Sequence, residues 1–250
     1  MIGRFVVYGN LYEGRFEIVD DKLVYDSLEF PIGAVKFLPP VVPSKIVAVG
    51  LNYIDHAQEL KMPVPEEPIL FLKPPSAVVG HEDPIILPKI SRRVDYEGEL
   101  AVVIKENCKN VSRREAEEYI LGYTCFNDVT ARDIQAKDIQ WTRAKSFDTF
   151  APIGPYIAEF KDASKLKIET RVNGKVVQKS NTSNLIYDVP ALIEYISSVM
   201  TLRAGDVIAT GTPAGVGTLK DGDTIEVEIE KIGVLRNTAI SQEKEFRCEC

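Results

Sequence analysis

Histidine and cysteine are scarce in this 250-residue chain, which contains two histidines and four cysteines. Four cysteines are too few for a disulfide scaffold, and Cys248 and Cys250 are interpreted as part of a frayed tail rather than a metal site. Because zinc sites are usually built from these two residue types, the composition argues against zinc chemistry. Any metal is expected to be held mainly by oxygen, which suits magnesium, manganese or calcium.

The chain also lacks a basic excess and a long apolar run. Lysine plus arginine number 30 against 37 acidic residues, for a net charge of -7. An acidic chain with no basic block is a poor candidate for binding nucleic acid or an anionic membrane. No stretch approaches the roughly 20 apolar residues of a membrane span, and the first residues have no apolar core of signal-peptide length. These absences predict a cytoplasmic protein.

Short alternating apolar runs, broken by glycine, asparagine and aspartate, make up much of the sequence and predict a β-rich α+β fold. Residues 1–42 are expected to form a small N-terminal β unit, which the proline-rich stretch "FLPPVVPSK" links to the rest. Residues 43–240 are expected to form the main domain, and residues 241–250 a C-terminal tail. Asn173-Gly174 is typical of a two-residue hairpin turn.

Few segments of the sequence predict helices. Ser112, followed three residues later by Glu115, forms a capping box and predicts a helix at "SRREAEEYILGYT". A second helix is expected to begin after Pro190 and to end near Gly205. The other segments have the composition of strands, so helices should be a minority.

Three acidic residues alternate within "RRVDYEGELAVV", residues 92–103. In a strand, Asp95, Glu97 and Glu99 share one face, with neighbours roughly 6.6 Å apart. This face is either the solvated side of an edge strand or a site for a hard metal, because burying like charges without a cation is costly. Asp128, which follows an apolar run, is a further candidate ligand, although a turn residue at a strand end would have the same sequence.

The segment "VGLNYIDHAQELKMP" predicts a short helix from Tyr53 to about Lys61, capped by Asn52. His56 and Glu59 are three residues apart and therefore lie on one face of that helix. Either they form a solvated surface pair, or the carboxylate orients the imidazole as a base. Because so short a helix is marginal by itself in water, it is a natural candidate for a lid that closes on a substrate.

Polar side chains follow Asp128 around the single tryptophan of the chain, namely Arg132, Gln135, Arg143 and Lys145. They belong either to a polar loop or helix, or to a site in which an amide and a cation face a developing oxyanion. The later segment "ATGTPAGVGTL" lacks the pattern of a phosphate loop. Its Thr212 and backbone amides are still suited to a small anionic ligand.

Taken together, "GLNYIDHAQEL", "PILFLKPPSAVVG", "VDYEGELAVVI", "GYTCFNDVTARDIQ", "WTRAKSFDTFAPIGP" and "ATGTPAGVG" resemble the fumarylacetoacetate hydrolase family in order and spacing. The resemblance extends from about Lys45 to about Asn237, and the first forty residues look like the variable N-terminal unit of longer members. It implies a mixed β-roll, usually in a homodimer.

The resemblance also implies roles for individual residues. Glu97, Glu99 and Asp128 match the Mg²⁺ or Mn²⁺ ligands, which leaves Asp95 as a flanking acid. His56 and Glu59 match a dyad on a mobile lid that activates water, and Lys145 matches the active-site lysine. The residues that match substrate-contacting positions or motifs are Gln135, Thr212, Arg132 and Lys73, the last two without a specific role.

The function that the resemblance implies is metal-dependent cleavage of a C–C bond in a small 2-oxo or β-dicarbonyl acid. The reaction is hydrolysis of an acylpyruvate or decarboxylation of the oxaloacetate type, through an enolate that the metal stabilises. The alternative is an isomerase or dehydratase of a 2-hydroxy-diene dioate or sugar acid, in which the dyad only moves protons. A calcium-binding protein without activity would explain "DYEGE", but not His56, Glu59 and Lys145.

Overall fold

The computed structural model describes residues 1–245, so the expected tail features Cys248 and Cys250 lie outside the described residues. Strands dominate, which confirms the β-rich α+β class. The strands are β1 (Ile2–Val7), β2 (Asn10–Arg15), β3 (Glu17–Val19), β4 (Lys22–Tyr25), β5 (Leu28–Pro31), β6 (Val35–Phe37), β7 (Ile46–Gly50), β8 (Ile69–Lys73), β9 (Val78–Val79), β10 (Pro84–Leu87), β11 (Val94–Tyr96), β12 (Gly98–Ile104), β13 (Ile120–Asn127), β14 (Thr130–Ala131), β15 (Ala151–Ala158), β16 (Lys167–Val172), β17 (Lys175–Asn181), β18 (Val207–Ala209), β19 (Gly217–Thr218), β20 (Thr224–Ile229) and β21 (Gly233–Ser241).

Helices are short and few within the described part of the chain. The α-helices are α1 (Ile54–Leu60), α2 (Arg132–Gln135), α3 (Thr142–Lys145), α4 (Val189–Val199) and α5 (Gln242–Glu245). Single 3₁₀ turns occur at Ile32–Ala34, Pro75–Ala77, Ala116–Tyr119 and Thr182–Asn184. No helix in residues 1–245 combines the length and the apolar character needed to cross a membrane.

Two large sheets carry the core. The ten-stranded sheet has the order β2-β1-β15-β13-β12-β18-β7-β8, with β6 also paired to β1 and β9 to β15. The five-stranded sheet has the order β10-β21-β20-β16-β17. The largest buried cluster joins Val102 of β12, Val227 of β20, and Leu192 of α4, so the two sheets and α4 pack against one another. This places β12 and β13 at the centre of the molecule.

The first 37 residues form strands of two kinds. The strands β3, β4 and β5 make a small sheet of their own, whereas β1 pairs with β15 of the large sheet, with Ile2 opposite Ile157. An aromatic cluster around Phe5 and Phe16 packs against Tyr156 of β15. The N-terminal segment therefore extends the large sheet as well as forming its own, and the proposed boundaries after residues 42 and 240 stay predictions.

The helix predicted after Ser112 is wrong, although one of the two bonds of its capping box forms. The carboxylate of Glu115 accepts from the Ser112 amide at 3.1 Å and from the Ser112 hydroxyl at 2.6 Å, but only one 3₁₀ turn follows before β13 begins at Ile120. The reason is that β13 is buried between β12 and β15, and tertiary pairing overrides local helix signals.

The second predicted helix exists but is shorter than expected. Helix α4 begins at Val189, where the side chain of Asp188 accepts a hydrogen bond from the Ala191 amide, and it ends at Val199 instead of near Gly205. The chain leaves the helix because Leu202 pairs with Cys108 in an isolated bridge.

Two local predictions near turns have opposite outcomes. The Asn173-Gly174 hairpin is confirmed, because these two residues join β16 to β17 with φ angles of 51° and 76°. The predicted cap of α1 by Asn52 is wrong. Its side chain instead donates to the carbonyl groups of Tyr187 and Thr210 and accepts from the Tyr187 amide, which ties three segments together.

Candidate active site

Three acidic side chains come together where β12 and β13 leave the large sheet. Glu97 lies between β11 and β12, Glu99 lies in β12, and Asp128 follows β13. The amide of Asp128 donates to the carbonyl of Glu97 at 2.8 Å, and one oxygen from each of the three carboxylates lies within 4.8 Å of the others. Their exposed fractions are 6%, 1% and 1%, so the alternative of a solvated strand face is wrong.

Two buried lysines contact this cluster. The Nζ of Lys145 donates to Glu97 at 2.8 Å and to Asp128 at 2.5 Å. The Nζ of Lys73 donates to the other oxygen of Asp128 at 2.6 Å, and its side chain is fully buried. A buried lysine is stable only beside such partners. The structure therefore places both predicted lysines at the carboxylates, with Lys73 behind Asp128.

Arg132 connects the cluster to the flanking acid Asp95. Its Nε donates to Asp95 at 2.9 Å, one terminal nitrogen donates to Gln135 at 2.6 Å, and the other contacts Glu97. Asp95 is fully buried, and Thr218 donates to it at 2.9 Å. Because Arg132 is held by three side chains, its position and that of the Gln135 amide are well determined. Asp95 lies outside the three-acid cluster, as expected for a flanking acid.

Glu99 is electrostatically the least satisfied member of the cluster. The amide of Gly211 donates to it at 2.8 Å, and within residues 1–245 no lysine or arginine forms an ion pair with it. Burial, with the nearby charges of Asp128 and Glu97, raises the pKa of Glu99 well above its usual value. Burial would also raise the pKa of Glu97, but Lys145 and Arg132 lower that pKa to about 2.

These features fit a divalent cation. The three acids offer only oxygen ligands, which hard metals such as Mg²⁺ and Mn²⁺ prefer. A cation among them would neutralise the carboxylate of Glu99, which lacks a charged partner. A glycine is needed at position 211 for the backbone amide to reach Glu99. The φ of Gly211 is 100°, and a Cβ there would lie 2.8 Å from the Cβ of Asn52.

The predicted His56–Glu59 pair forms on helix α1. The Nδ1 of His56 and a carboxylate oxygen of Glu59 are 2.9 Å apart, and His56 is only 8% exposed. Glu59 also accepts a hydrogen bond from the Gly215 amide at 3.1 Å, and Asp55 accepts one from the Ser180 hydroxyl at 2.5 Å. The helix is therefore held against the rest of the protein with its imidazole directed inward.

A cavity of about 350 Å³ joins these groups. Eight of the ten predicted site residues line it, namely His56, Glu97, Glu99, Asp128, Arg132, Gln135, Lys145 and Thr212. Glu59 lies behind His56, and Lys73 lies behind Asp128. A larger groove of about 460 Å³ lies beside α4, but no cluster of potential metal ligands lines it among the described residues.

One predicted member of the polar segment lies elsewhere. Arg143 is exposed and forms an ion pair with Asp138 at 2.6 Å, so it does not face the cavity. Thr212 does face it, but its hydroxyl already donates to the carbonyl of Gly98 at 3.0 Å. The hydroxyl of Thr212 can therefore accept a hydrogen bond from a ligand more readily than it can donate one.

Two further residues at the site have no recognisable signal in the sequence. Gln178, in β17, accepts from the amide of Gly98 at 3.0 Å and donates to the hydroxyl of Thr212 at 2.9 Å. Gln178 thus connects the start of β12 to the segment that contains Thr212. The ring of Phe71 lies 5.0 Å from the Nζ of Lys145, a cation–π contact. Only contacts between distant segments reveal these roles.

Comparisons with known proteins identify the relatives of this chain. Residues 45–240 match the family described as fumarylacetoacetate (FAA) hydrolase C-terminal. The structure of 5-carboxymethyl-2-hydroxymuconate delta-isomerase from Mycobacterium smegmatis matches with a TM-score of 0.90 and 44% identity, covering 96% of this chain and 98% of that one. Oxaloacetate tautomerase FAHD2A, mitochondrial, from Bos taurus is 43% identical over 91% of this chain and 77% of that protein.

A further structure is relevant to the acidic cluster. Maleylpyruvate hydrolase from Sphingobium sp. SYK-6, in complex with manganese(II) ion and pyruvate, matches with a TM-score of 0.81 and 30% identity. The match covers 96% of this chain and 98% of that one. The two solved structures share the fold of this chain, and the three relatives are named for three different reactions.

Proposed function

The chain belongs to the fumarylacetoacetate hydrolase family, with its β-rich α+β fold, and from this premise we propose a Mg²⁺- or Mn²⁺-dependent enzyme that cleaves a C–C bond in small 2-oxo or β-dicarbonyl acids. The observation that carries the proposal is one cavity lined by His56, Lys145 and three clustered carboxylates. It combines a general base, a fixed cation and a set of oxygen ligands within reach of one small molecule.

Glu97, Glu99 and Asp128 would hold the metal. When bound, it supplies a Lewis acid that polarises a carbonyl oxygen and stabilises negative charge on it. Lys145 contacts two of these three acids and faces the cavity, so its ammonium group would stabilise charge that develops on a substrate oxygen. The amide of Gln135 accepts from Arg132 through its oxygen, which leaves its NH₂ group to donate to the substrate.

His56 would take a proton from the attacking water in a hydrolysis. Glu59 lies at its Nδ1, so it favours the tautomer in which Nε2 is free to accept that proton. The amide of Gly215 holds Glu59 in place. Thr212, whose hydroxyl hydrogen is committed to Gly98, would accept a hydrogen bond from a donor group of the substrate such as an enol hydroxyl.

The second candidate is an isomerase or tautomerase of related acids. The same dyad can move a proton between carbon and oxygen without activating water. Two relatives with more than 40% identity, the isomerase and the tautomerase, favour this candidate by their names. A homodimer and a cytoplasmic location also stay predictions.

The test is a substrate panel assayed with two readouts on one preparation. Acylpyruvates and oxaloacetate are incubated with the protein and Mg²⁺ or Mn²⁺, and pyruvate release is measured beside the ultraviolet absorbance of the enol form. Pyruvate release that disappears with EDTA and returns with metal is the expected result. Rapid enol conversion without pyruvate release would instead establish the isomerase or tautomerase, and pyruvate release at the full rate by metal-free protein would contradict the metal-dependent enzyme.

A further inference from the structure

Asp95 is a fully buried acid that belongs neither to the three-acid cluster nor to the lining of the cavity. It lies in β11, the central strand of a small three-stranded sheet, where it is paired with Thr130 of β14 and Thr218 of β19. Strand pairing on both sides therefore fixes its backbone. Because removing a carboxylate from water is costly unless partners satisfy it, the groups that contact Asp95 indicate what it does.

The two carboxylate oxygens of Asp95 have different partners. One accepts hydrogen bonds from the Thr218 hydroxyl at 2.9 Å and from the Nε of Arg93 at 3.0 Å. The side chain of Arg93 is about half exposed, so solvent screens its charge. Among the described residues, the other oxygen accepts from the Nε of Arg132 alone, at 2.9 Å. The negative charge of Asp95 therefore acts mainly on Arg132.

Arg132 connects Asp95 to two residues that line the cavity. Its terminal nitrogens donate to the amide oxygen of Gln135 at 2.6 Å and to one carboxylate oxygen of Glu97. A guanidinium group is planar and rigid, so a partner that fixes its Nε also determines the directions of its two terminal nitrogens. Asp95 thus sets the directions in which Arg132 holds Glu97 and Gln135.

A different geometry of Arg132 becomes available when the charge of Asp95 is removed. Guanidinium and carboxylate groups readily form bidentate pairs with two parallel hydrogen bonds. Glu97 would then be the anionic partner of Arg132, since the two share an ion pair already. A bidentate pair would compete with a metal for the oxygens of Glu97, and it would draw Arg132 away from the amide of Gln135.

We propose that Asp95 is a positioning residue, which limits Arg132 to a single hydrogen bond with Glu97 and keeps the amide of Gln135 directed at the substrate. Asp95 contacts neither the metal nor the substrate, and it acts on both through Arg132. The inference rests on the proposed function, because Glu97 must be a metal ligand and Gln135 must contact the substrate for this positioning to affect binding.

Asp95→Asn tests the effect on the metal. Asparagine keeps the shape of the side chain and can still accept from Arg132, but a hydrogen bond to a neutral acceptor is weaker than one to a carboxylate. Calorimetric titration with Mn²⁺ should give an affinity about 10–100-fold lower than that of the parent, the range for outer contacts of a metal site. An unchanged affinity for Mn²⁺ would overturn the inference.

Arg132→Gln tests whether Arg132 transmits the effect, and it does so even if Asp95→Asn does not fold. With the competing cation removed, Mn²⁺ should bind as tightly as in the parent or more tightly. Oxalate, titrated at saturating Mn²⁺, should bind about tenfold more weakly, the upper end for one hydrogen bond, because the amide of Gln135 has lost its partner. A loss of Mn²⁺ affinity of more than about tenfold would contradict the proposed role of Asp95.

The double variant completes the cycle. In the Arg132→Gln background, adding Asp95→Asn should change the Mn²⁺ affinity by less than about threefold, because no guanidinium remains to be positioned. If Asp95→Asn instead lowers the affinity by the same factor in both backgrounds, Asp95 does not act through Arg132 and the inference is overturned.

Asp206→Asn is the matched control for a loss of stability. Asp206 is also fully buried, forms an ion pair with Lys45 and accepts from the Arg203 amide at 2.8 Å, but it does not line the cavity. This variant should unfold at a lower temperature than the parent while its affinities for Mn²⁺ and oxalate stay unchanged. If Asp95→Asn shows the same pattern, Asp95 has a structural role only.

The parent protein separates this inference from the proposed function. If the parent binds Mn²⁺ and turns over an acid of the substrate panel, but Asp95→Asn binds Mn²⁺ and oxalate as the parent does, the proposed function stands and the positioning role is contradicted. If the parent binds no Mn²⁺, the proposed function fails and the positioning role fails with it.

Discussion

The carboxylate end of the cavity and the end formed by helix α1 are built from different kinds of structure. Glu99 lies in β12, which is hydrogen-bonded to β13 on one side and β18 on the other at the centre of the ten-stranded sheet. His56 lies on α1, a helix of seven residues. Two hydrogen bonds hold side chains of that helix against the rest of the protein: the Gly215 amide donates to Glu59, and the Ser180 hydroxyl donates to Asp55.

This difference separates two physical requirements. Groups that share a cation need fixed mutual distances, and strands paired on both sides provide them. A base that meets the substrate only after entry must be able to move away, and a short helix with few tertiary contacts opens at low cost in free energy. The comparison therefore predicts that substitutions at the two ends differ in what they damage.

The largest effect is expected from Glu99→Gln at the carboxylate end. The amide oxygen can still accept from Gly211, so the shape is retained while one anionic ligand is lost. Metal affinity should fall by more than the roughly 10–100-fold that outer contacts of a metal site contribute, and turnover should fall nearly to background. Because the ionised carboxylate is buried beside Glu97 and Asp128, the metal-free variant should unfold at the same temperature as the parent or higher.

The measurements are calorimetric titration with Mn²⁺, turnover, and thermal unfolding after EDTA treatment. Glu106→Gln is the matched control, since Glu106 is an exposed acid shortly after the same strand. A Glu99→Gln protein that binds Mn²⁺ as tightly as the parent would show that the acidic cluster does not hold the metal.

An intermediate effect is expected from His56→Ala on helix α1. If the enzyme hydrolyses acylpyruvates, loss of the base should slow hydrolysis by about 10²–10⁴-fold, whereas decarboxylation of oxaloacetate, which needs no activated water, should slow distinctly less. Lys145→Ala should slow both reactions, because its ammonium group faces anionic species in each. Both substrates are assayed on one preparation of each variant at saturating Mg²⁺.

Gln58→Ala is the control for helix α1, because Gln58 is an exposed neighbour of His56 on the same helix. It should leave both rates unchanged. Unaltered hydrolysis by the His56→Ala protein would remove the assignment of the dyad as the base and leave His56 and Glu59 with a structural role.

The smallest effect is one of motion rather than chemistry. Amide hydrogens of residues 52–62 should exchange at least about tenfold more slowly with Mn²⁺ and oxalate bound than in the free protein, a change of about 1.4 kcal/mol in the opening free energy. Amides of β12 and β13 should exchange slowly in both states, because they are paired inside the large sheet. Equally slow exchange of residues 52–62 in both states would contradict a lid and make the two ends of the cavity alike.

The sequence alone predicted which of the candidate side chains lie close together. The two-residue period of a strand placed Glu97 and Glu99 on one face, and the three-residue spacing of a helix placed His56 beside Glu59. The structure bears out both proximities, with the acids within 4.8 Å and the pair at 2.9 Å. Both relations join residues two or three positions apart, so local backbone geometry is enough to predict them, even though Glu97 lies between β11 and β12 rather than within one strand.

The surroundings of those groups depend on contacts between segments that are distant in the sequence. The segment after Ser112 became β13 because β12 and β15 pair with it, although its capping signal favoured a helix. Gln178 reaches Gly98 across 80 positions of sequence, and the lining of the cavity combines residues of α1, of β8 and of the segment before α3. Such contacts depend on how sheets and helices pack, and packing between distant segments leaves no period in the sequence by which to predict it.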